Sequence, residues 1–214
     1  MLKVLTDNWD IFSRGFLTTI ELFLISAVGA LLLGVVLGGM RVSPIPALRA
    51  FGTAYVNTVR NTPLTLIFAF IVFALPKLGV SLEFFTAACV ALIFYTAAFI
   101  CEVVRSGINT VPLGQIDAAR SIGMTFFQVL GVVVMPQAMR ATVPPLVSVL
   151  IAMLKNTTVA AGFSVLEAGA ITAYLSERGE NQMLSLLWIT AGFLLLISPL
   201  VALQRVFERA SASP

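Results

Sequence analysis

The chain has 214 residues, of which 59% are hydrophobic and only 11% are charged. Its mean hydropathy of +1.01 exceeds what a soluble domain of this size covers with polar surface, so the composition predicts a membrane protein. The formal charge of +3 is small and scattered, whereas nucleic-acid binding needs a clustered basic face. Histidine is absent, which removes His-ligated metal sites and His-dependent hydrolytic triads and argues against an enzyme.

Five apolar segments are long enough to cross about 30 Å of hydrocarbon. They lie at about residues 17–40, 59–76, 84–105, 143–163 and 184–204. The pattern predicts an all-α, polytopic membrane protein with about five transmembrane helices, forming one domain over residues 1–214. The first segment is longer than the apolar part of a signal peptide, and Asp7 and Asp10 precede it. We therefore expect it to remain in the mature protein.

Lysine and arginine residues predict the orientation, because cytoplasmic loops carry an excess of them. With the N-terminus outside, eight basic residues face the cytoplasm and four face outside, while Lys155 falls inside a span. The cytoplasmic set is Arg41, Arg49, Arg60, Arg105, Arg120, Arg140, Arg205 and Arg209, and the outer set is Lys3, Arg14, Lys77 and Arg178. The acidic residues Glu167, Glu177 and Glu180 would then lie in an outer loop. This split predicts an external N-terminus and a cytoplasmic C-terminus.

Small residues recur every four positions in the first span, at Ala30, Gly34 and Gly38. Such a stripe lets two helix backbones approach closely, and it predicts a seam with another helix of the same subunit, or alternatively a dimerisation face. The two cysteines, Cys89 and Cys101, are twelve positions apart in one apolar stretch. This separation is too long for a disulfide or a shared metal site, so we expect both to be packing residues.

The longest polar stretch, residues 106–142, is predicted to be a cytoplasmic loop with a short helix. Pro112 is suited to open this helix and Gly123 to close it, which leaves residues 113–122. An apolar residue recurs every third position, and polar residues remain for contacts: the two sets are Leu113, Ile116, Ala119 and Ile122, and Gln115, Asp117 and Arg120. Such a helix suits a groove in a soluble partner or the lipid surface.

The run Asp117-Ala118-Ala119, followed by Gly123 and later by Met135-Pro136, resembles the EAA loop of ABC import permeases. The resemblance extends to VRNTPL at 59–64, RSGINTVPLGQ at 105–115 and LKNTTVA at 154–160. These segments are similar to the polar amino-acid branch of the family, which serves glutamine, histidine, arginine and glutamate. RVSPIPALR together with AYVNTVRNTPLTL is similar in particular to actinobacterial glutamate-uptake permeases.

This resemblance implies the type I ABC importer permease fold, in which the EAA helix docks into the ATPase subunit. The coupling residues are then Gln115, Asp117, Ala118, Ala119 and Gly123. Asp117 supplies the acid, one methylene shorter than the usual Glu; Ala118 and Ala119 allow close approach; and Gly123 turns the chain. No G-x-x-x-x-G-K-[ST] phosphate loop occurs, so ATP and Mg²⁺ are expected on a separate ATPase chain, with no cofactor or metal in this one.

The resemblance also implies further partners in a bacterial cell membrane: a second permease, either distinct or identical, and an extracytoplasmic solute-binding protein. The expected function is uptake of a polar amino acid such as glutamate, aspartate or glutamine. Two other readings use the same spans. A homo-oligomeric channel has no reason to carry the EAA loop, and an intramembrane enzyme lacks paired carboxylates or a metal cluster.

Polar residues at membrane depth are candidates for the substrate path, because they are costly there unless hydrated or paired. One group is Lys155, Asn156, Thr157 and Thr158, and a second is Asn61 and Thr62 before Pro63. Related amino-acid permeases read KDTSL at the first group, with the Asp associated with the amino group of the solute. Asn156 replaces that carboxylate here, which favours an acidic amino acid or its amide.

Structural alternatives stay open for each of these groups. Lys155 would pair with Glu102 or Glu167, and the threonines would bond to backbone carbonyls. Asn61 and Thr62 would mark an ordinary helix start at the interface. Glu102 and Arg105 are three residues apart, and we expect them to form an ion pair on one helix face.

Overall fold

The computed structural model describes residues 2–212, which form helices joined by short turns. The helices are α1 (Leu2–Asp7), α2 (Trp9–Val42), α3 (Pro46–Arg60), α4 (Leu64–Ala69), α5 (Phe84–Asn109), α6 (Leu113–Ser121), α7 (Phe126–Gln128), α8 (Met135–Asn156), α9 (Ile171–Glu177) and α10 (Gln182–Ala212). π-Helical turns occupy Phe70–Ala74 and Val129–Val134, and 3₁₀ turns occupy Leu75–Leu78, Thr157–Phe163 and Ala168–Ala170.

Within residues 2–212, four helical segments are long and apolar enough to cross a membrane: Trp9–Val42, Phe84–Asn109, Phe126–Phe163 and Gln182–Arg209. A fifth span results if α3 and the helical segment Leu64–Leu78 count together, although they meet at a bend of 102°. The prediction of an all-α membrane protein with about five spans is therefore confirmed.

The second span differs from the prediction of one helix over residues 59–76. α3 ends at Arg60, and a new helix begins at Leu64. Pro63 lacks an N–H group and disfavours helical geometry in the residue before it, so the chain breaks here. Asn61 and Thr62 donate their side-chain hydrogen bonds back to the last turn of α3, which ends that helix. α3 is amphipathic, so the continuous apolar segments of the sequence did not predict it as a helix.

The fourth span starts earlier than the predicted residue 143. Helical structure begins at Phe126, where Thr125 and Gln128 form a capping box, and it continues to Phe163. Pro144 and Pro145 lie inside α8, as prolines in membrane helices can when neighbouring groups satisfy the freed backbone. Most of the stretch predicted as a polar loop, residues 106–142, is therefore helical.

The main packing contact joins α2 to α5. Ala30 is fully buried, and the missing side chains of Gly34 and Gly38 make room for Ile100 and Val104 of α5. A Cβ atom at residue 34 would lie 2.6 Å from Cβ of Ile100. The predicted seam is therefore confirmed as a contact within the subunit.

The two cysteines of α5 are buried and free, which confirms that they are packing residues. Cys89 lies in a cluster with Phe68, which attaches the second span to α5. Cys101 lies in a cluster with Leu37 of α2 and Val56 of α3. α5 thus positions the helices on either side of the break at residues 61–63.

Candidate functional site

The predicted coupling helix exists as α6 and is one residue shorter than expected, ending at Ser121. Gly123 has φ +87°, a left-handed conformation that favours glycine. Its N–H donates to the carbonyl of Arg120 over 2.9 Å, and the N–H of Met124 donates to that of Ala119 over 3.2 Å. These two bonds form a Schellman motif. The predicted turn at Gly123 is confirmed.

Ala119 faces the chain's own interior. It is 6% exposed and packs with Val111, Val129 and Val134. Its small side chain allows α6 to pack closely against the π-helical turn Val129–Val134. The resemblance implied instead that Ala119 allows the close approach of a separate subunit. Ala118 and Asp117 lie on the exposed side of α6.

Several large apolar side chains on α6 and just after it are exposed. The most exposed are Leu113 at 76%, Ile122 at 80% and Phe127 at 79%. The charged side chains of Asp117 and Arg120 are exposed on the same helix, so α6 presents apolar groups together with one acid and one base. Such a surface suits a groove in a partner protein.

Gln115 connects α6 to the fourth span. Nε2 of Gln137 donates to Oε1 of Gln115 over 2.7 Å and also to the carbonyl of Val133 over 2.8 Å. An amide nitrogen carries two hydrogens, so both bonds form together. Gln115 therefore holds α6 against its own chain. The side chain of Asp117 is exposed, and the backbone carbonyl of the same residue accepts a hydrogen bond from the hydroxyl of Ser121.

A cluster of arginines surrounds Glu102 near the C-terminal end of α5. Nη2 of Arg105 lies 2.9 Å from Oε2 of Glu102, which confirms the predicted ion pair. Arg41 of α2 binds Oε1, and Nη1 of Arg60 lies 3.6 Å from the same oxygen. Three guanidinium groups thus share one carboxylate, and no other acid within residues 2–212 forms an ion pair with these arginines. The cluster keeps a net positive charge.

The arginine cluster borders a polar cavity of about 320 Å³, lined by Arg60, Glu102, Arg105, Ser106, Thr110 and Pro145 among others. The side chain of Arg41 is 11% exposed and that of Arg60 is 44% exposed, so Arg60 is the most accessible of the cluster. The guanidinium carbon of Arg60 lies 5.3 Å from the ring centre of Phe99, a cation–π distance. The cavity therefore presents a fixed, accessible positive charge.

The predicted substrate-path residues separate into two places. Thr62 lines an open groove of about 650 Å³ with Thr58, Leu66 and Phe94. Asn156 instead lines a small cavity of about 130 Å³ with Thr96. No hydrogen bond among residues 2–212 joins Asn61 or Thr62 to residues 155–158.

Lys155 is exposed, and it takes part in none of the ion pairs of residues 2–212. The alternative that it pairs with Glu102 or Glu167 is therefore wrong. The threonine hydroxyls do bond to backbone carbonyls, Thr157 to Leu154 and Thr158 to Lys155, each over 2.8 Å. Thr157 is fully buried, so its place on a solute path stays a prediction.

Two features of these sites were missed from the sequence. Arg41 and Arg60 were interpreted only as orientation signals, although they lie in the last turns of α2 and α3, close to the one acid of α5. Glu167 was expected in an outer loop, and its complete burial was not predicted. Its position amid small and apolar residues, Val165, Ala168 and Ala170, was the available signal.

The comparison with known proteins gives a family over most of the chain. Residues 30–212 match the family described as binding-protein-dependent transport system inner membrane component. The glutamate transport system permease protein GluC of Corynebacterium efficiens is 43% identical over 198 residues, covering 86% of this chain and 87% of that protein. The probable glutamine ABC transporter permease protein GlnP of Bacillus subtilis is 42% identical over 152 residues, covering 71% of this chain and 68% of that protein.

A solved structure has the same fold over nearly the whole chain. The crystal structure of an amino acid ABC transporter with histidines aligns with a TM-score of 0.90 at 26% identity and covers 96% of both chains. The methionine ABC transporter MetNI in an inward-facing conformation aligns with a TM-score of 0.76 at 23% identity, which shows the fold alone.

Proposed function

The chain belongs to the family of binding-protein-dependent transport system inner membrane components, and we propose that it carries glutamate or a closely related acidic amino acid. It is a permease subunit of an ATP-binding-cassette importer of amino acids. The relatives named above include permeases for glutamate and for glutamine, which differ by one charge on the solute. The choice between them therefore depends on the electrostatics of this chain.

The observation that carries the proposal is the positive charge left over around Glu102. A solute with a carboxylate side chain is attracted to the cavity beside Arg60 and Arg105, whereas a cationic solute is repelled. At about 4 Å and an effective dielectric constant of 20, one unit charge contributes about 4 kcal/mol, which is enough to discriminate an acid from its amide. Asn156 supports the same preference, because it supplies hydrogen bonds without a negative charge.

Replacement of Arg60 tests this proposal. Arg60→Gln removes the most accessible charge of the cluster, and we expect glutamate uptake by the reconstituted complex to fall at least tenfold relative to glutamine uptake. Arg49→Gln removes a charge from the exposed side of the same helix and should leave the ratio unchanged. Arg60→Lys should restore part of the preference. An equal loss for both solutes in Arg60→Gln would reject the electrostatic role.

The exposed side of α6 supports a role in coupling to an ATPase. A permease of this family works with an ATPase, and we place the contact at Asp117, Ala118, Leu113 and Ile122. ATP and Mg²⁺ then bind to that separate subunit. The further partners are a second permease chain, related or identical, and an extracytoplasmic solute-binding protein, because a few helices enclose too little room for a gated path.

The proposed location is the bacterial cell membrane, with the N-terminus outside and the C-terminus in the cytoplasm. The bias of basic residues supports this orientation. It also puts α6 and the arginine cluster on the side where ATP is available. The orientation is tested with the accessible serines Ser176 and Ser121, as described in the Discussion.

A further inference from the structure

Glu167 is a fully buried carboxyl group that the transport role described above does not use. It lies between the 3₁₀ turns Thr157–Phe163 and Ala168–Ala170, outside the segments that span the membrane. None of the ion pairs within residues 2–212 includes it. Because an ionised carboxylate without a cationic partner is costly to bury, its protonation state needs an explanation.

The hydrogen bonds of Thr19 on α2 supply that explanation. Its Oγ1 atom lies 3.0 Å from the carbonyl of Gly15 and 3.2 Å from Oε2 of Glu167, and it accepts a bond of 3.0 Å from the N–H of Ala168. A hydroxyl has one hydrogen, so it cannot donate to both oxygens. If Glu167 is protonated, Oε2 donates to Thr19 and Thr19 donates to Gly15. Each of these contacts is then a hydrogen bond.

The second carboxyl oxygen is consistent with a neutral acid. Oε1 is buried, and no donor among residues 2–212 makes a hydrogen bond of normal geometry to it. Burial raises the pKa of Glu167, and this effect exceeds the opposing effect of the N–H groups of Gly169 and Ala170 and of the Thr19 hydroxyl. An unpartnered carbonyl oxygen costs much less than an unpartnered negative charge.

We infer that Glu167 holds a proton in the folded protein at neutral pH, and that its neutral carboxyl fastens the first span to the turn that follows the fourth. A Cβ atom at Gly169 would lie 2.5 Å from Oε1 of Glu167 and 3.1 Å from Cβ of Thr158. The carboxyl therefore lies close to Thr158, in the segment proposed for the substrate path. Glu167 is a positioning residue for this segment and does not contact the solute.

Among residues 2–212, no charged side chain contributes to the pKa of this carboxyl. α2 contributes the Thr19 hydroxyl and the Gly15 carbonyl, the 3₁₀ turn contributes Thr158, and α9 contributes the apolar Ile171, which contacts the Gly15 position. Because the folded state keeps a proton that the unfolded chain releases, the contact stabilises most at low pH. Its contribution to the free energy of unfolding declines as the pH rises from the ordinary pKa of a glutamate through the raised pKa of Glu167 in the folded protein.

Infrared difference spectroscopy of the purified permease–ATPase complex tests the inference directly. The spectrum of the natural protein minus that of Glu167→Gln should contain the C=O stretching band of a protonated carboxylic acid at neutral pH. Glu177→Gln, which changes an exposed acid on α9, should give no such band. Absence of the band in the Glu167→Gln difference at neutral pH would overturn the inference.

A second variant serves if Glu167→Gln fails to assemble. Thr19→Val keeps the shape of the side chain but removes the hydroxyl, and it should shift the frequency of the same band. The pH dependence of thermal unfolding distinguishes a protonated carboxyl from a neutral packing role. The thermal midpoint of the natural complex should fall as the pH becomes alkaline. The midpoint of Glu167→Gln should fall less over the same pH range. Identical slopes in both proteins, or an unshifted band in Thr19→Val, would contradict the assignment.

Discussion

Gln137 and Gln115 are 22 residues apart in the chain, yet a hydrogen bond of 2.7 Å joins their side chains. The bond attaches α6 to the first turn of α8, the helix that ends at Asn156. The burial of Ala119 against Val129 and Val134 adds an apolar contact between α6 and the π-helical turn that precedes α8. These contacts connect α6, through the π-helical turn, to the helix that carries Lys155 and Asn156.

Loss of this bond should weaken coupling without abolishing it. Gln137→Met keeps the length of the side chain and removes both donors, and a net contribution of about 1 kcal/mol per hydrogen bond predicts a loss of about fivefold in solute-stimulated ATP hydrolysis. Gln182→Met, on the exposed first turn of α10, is the matched control. Unchanged stimulation in Gln137→Met would show that the apolar contact alone holds α6.

Asp117→Arg should uncouple the complex while the permease still inserts in the membrane. The side chain is exposed, so the substitution costs little folding free energy, but it reverses the charge that we assign to the ATPase contact. The measurement is recruitment of the ATPase together with solute-stimulated hydrolysis. Glu208→Arg, an exposed charge reversal near the C-terminus, should keep both. If the Asp117 variant also kept both, the coupling role would be wrong.

The orientation is tested by cysteines at two exposed serines, Ser176 on α9 and Ser121 at the end of α6. Ser176→Cys should react with a membrane-impermeant thiol reagent added to intact cells, and Ser121→Cys should react only after the cells are opened. The natural Cys89 and Cys101 are buried, which keeps the background low. The opposite labelling pattern would invert the proposed topology.

The α2–α5 seam predicts opposite effects for two glycines. At residue 34 a Cβ atom would lie 2.6 Å from Cβ of Ile100 and 3.0 Å from the carbonyl of Ala97, so Gly34→Ala should destabilise the protein by about 1–3 kcal/mol. No atom lies within 4 Å of a Cβ at residue 39, where Gly39→Ala should be neutral or stabilise by up to about 1 kcal/mol. Thermal unfolding in detergent compares them. Equal midpoints would mean that the seam relaxes freely.

Local signals predicted much of this architecture. The length of the apolar segments predicted the spans, and the four-residue spacing of small residues predicted the Gly34–Gly38 seam. Pro112 and Gly123 predicted where α6 begins and ends. Each of these signals depends on residues that are close in the chain. The Glu102–Arg105 pair was predictable for the same reason.

The remaining features depend on contacts between distant segments. Arg41 reaches Glu102 across 61 positions, and Glu167 reaches Thr19 across 148, distances at which spacing carries no information. Whether the side chain of Ala119 is exposed or buried depends on where Val129 and Val134 pack. The motif predicted the helix α6 but not that Ala119 is buried against its own chain.

Asn156 is the position at which charge preference is most directly tested, since it lines its cavity opposite Thr96 of α5. The residues that line this cavity include the neutral polar Tyr95, Thr96 and Asn156, and no carboxylate is among the lining residues within 2–212. A carboxylate at residue 156 would repel an acidic solute, and even a partly screened charge at about 4 Å should change the relative transport more than tenfold. Asn156→Asp should therefore weaken uptake of glutamate or aspartate more than that of glutamine.

Competition between labelled solutes in the reconstituted complex decides this, with the binding protein omitted or saturating so that its own selectivity does not dominate. The control is Asn57→Asp, an exposed amide on α3, which should change the ratio far less. Equal losses for acidic and neutral solutes in Asn156→Asp would assign the residue to structure and leave the arginine cluster as the sole source of charge preference.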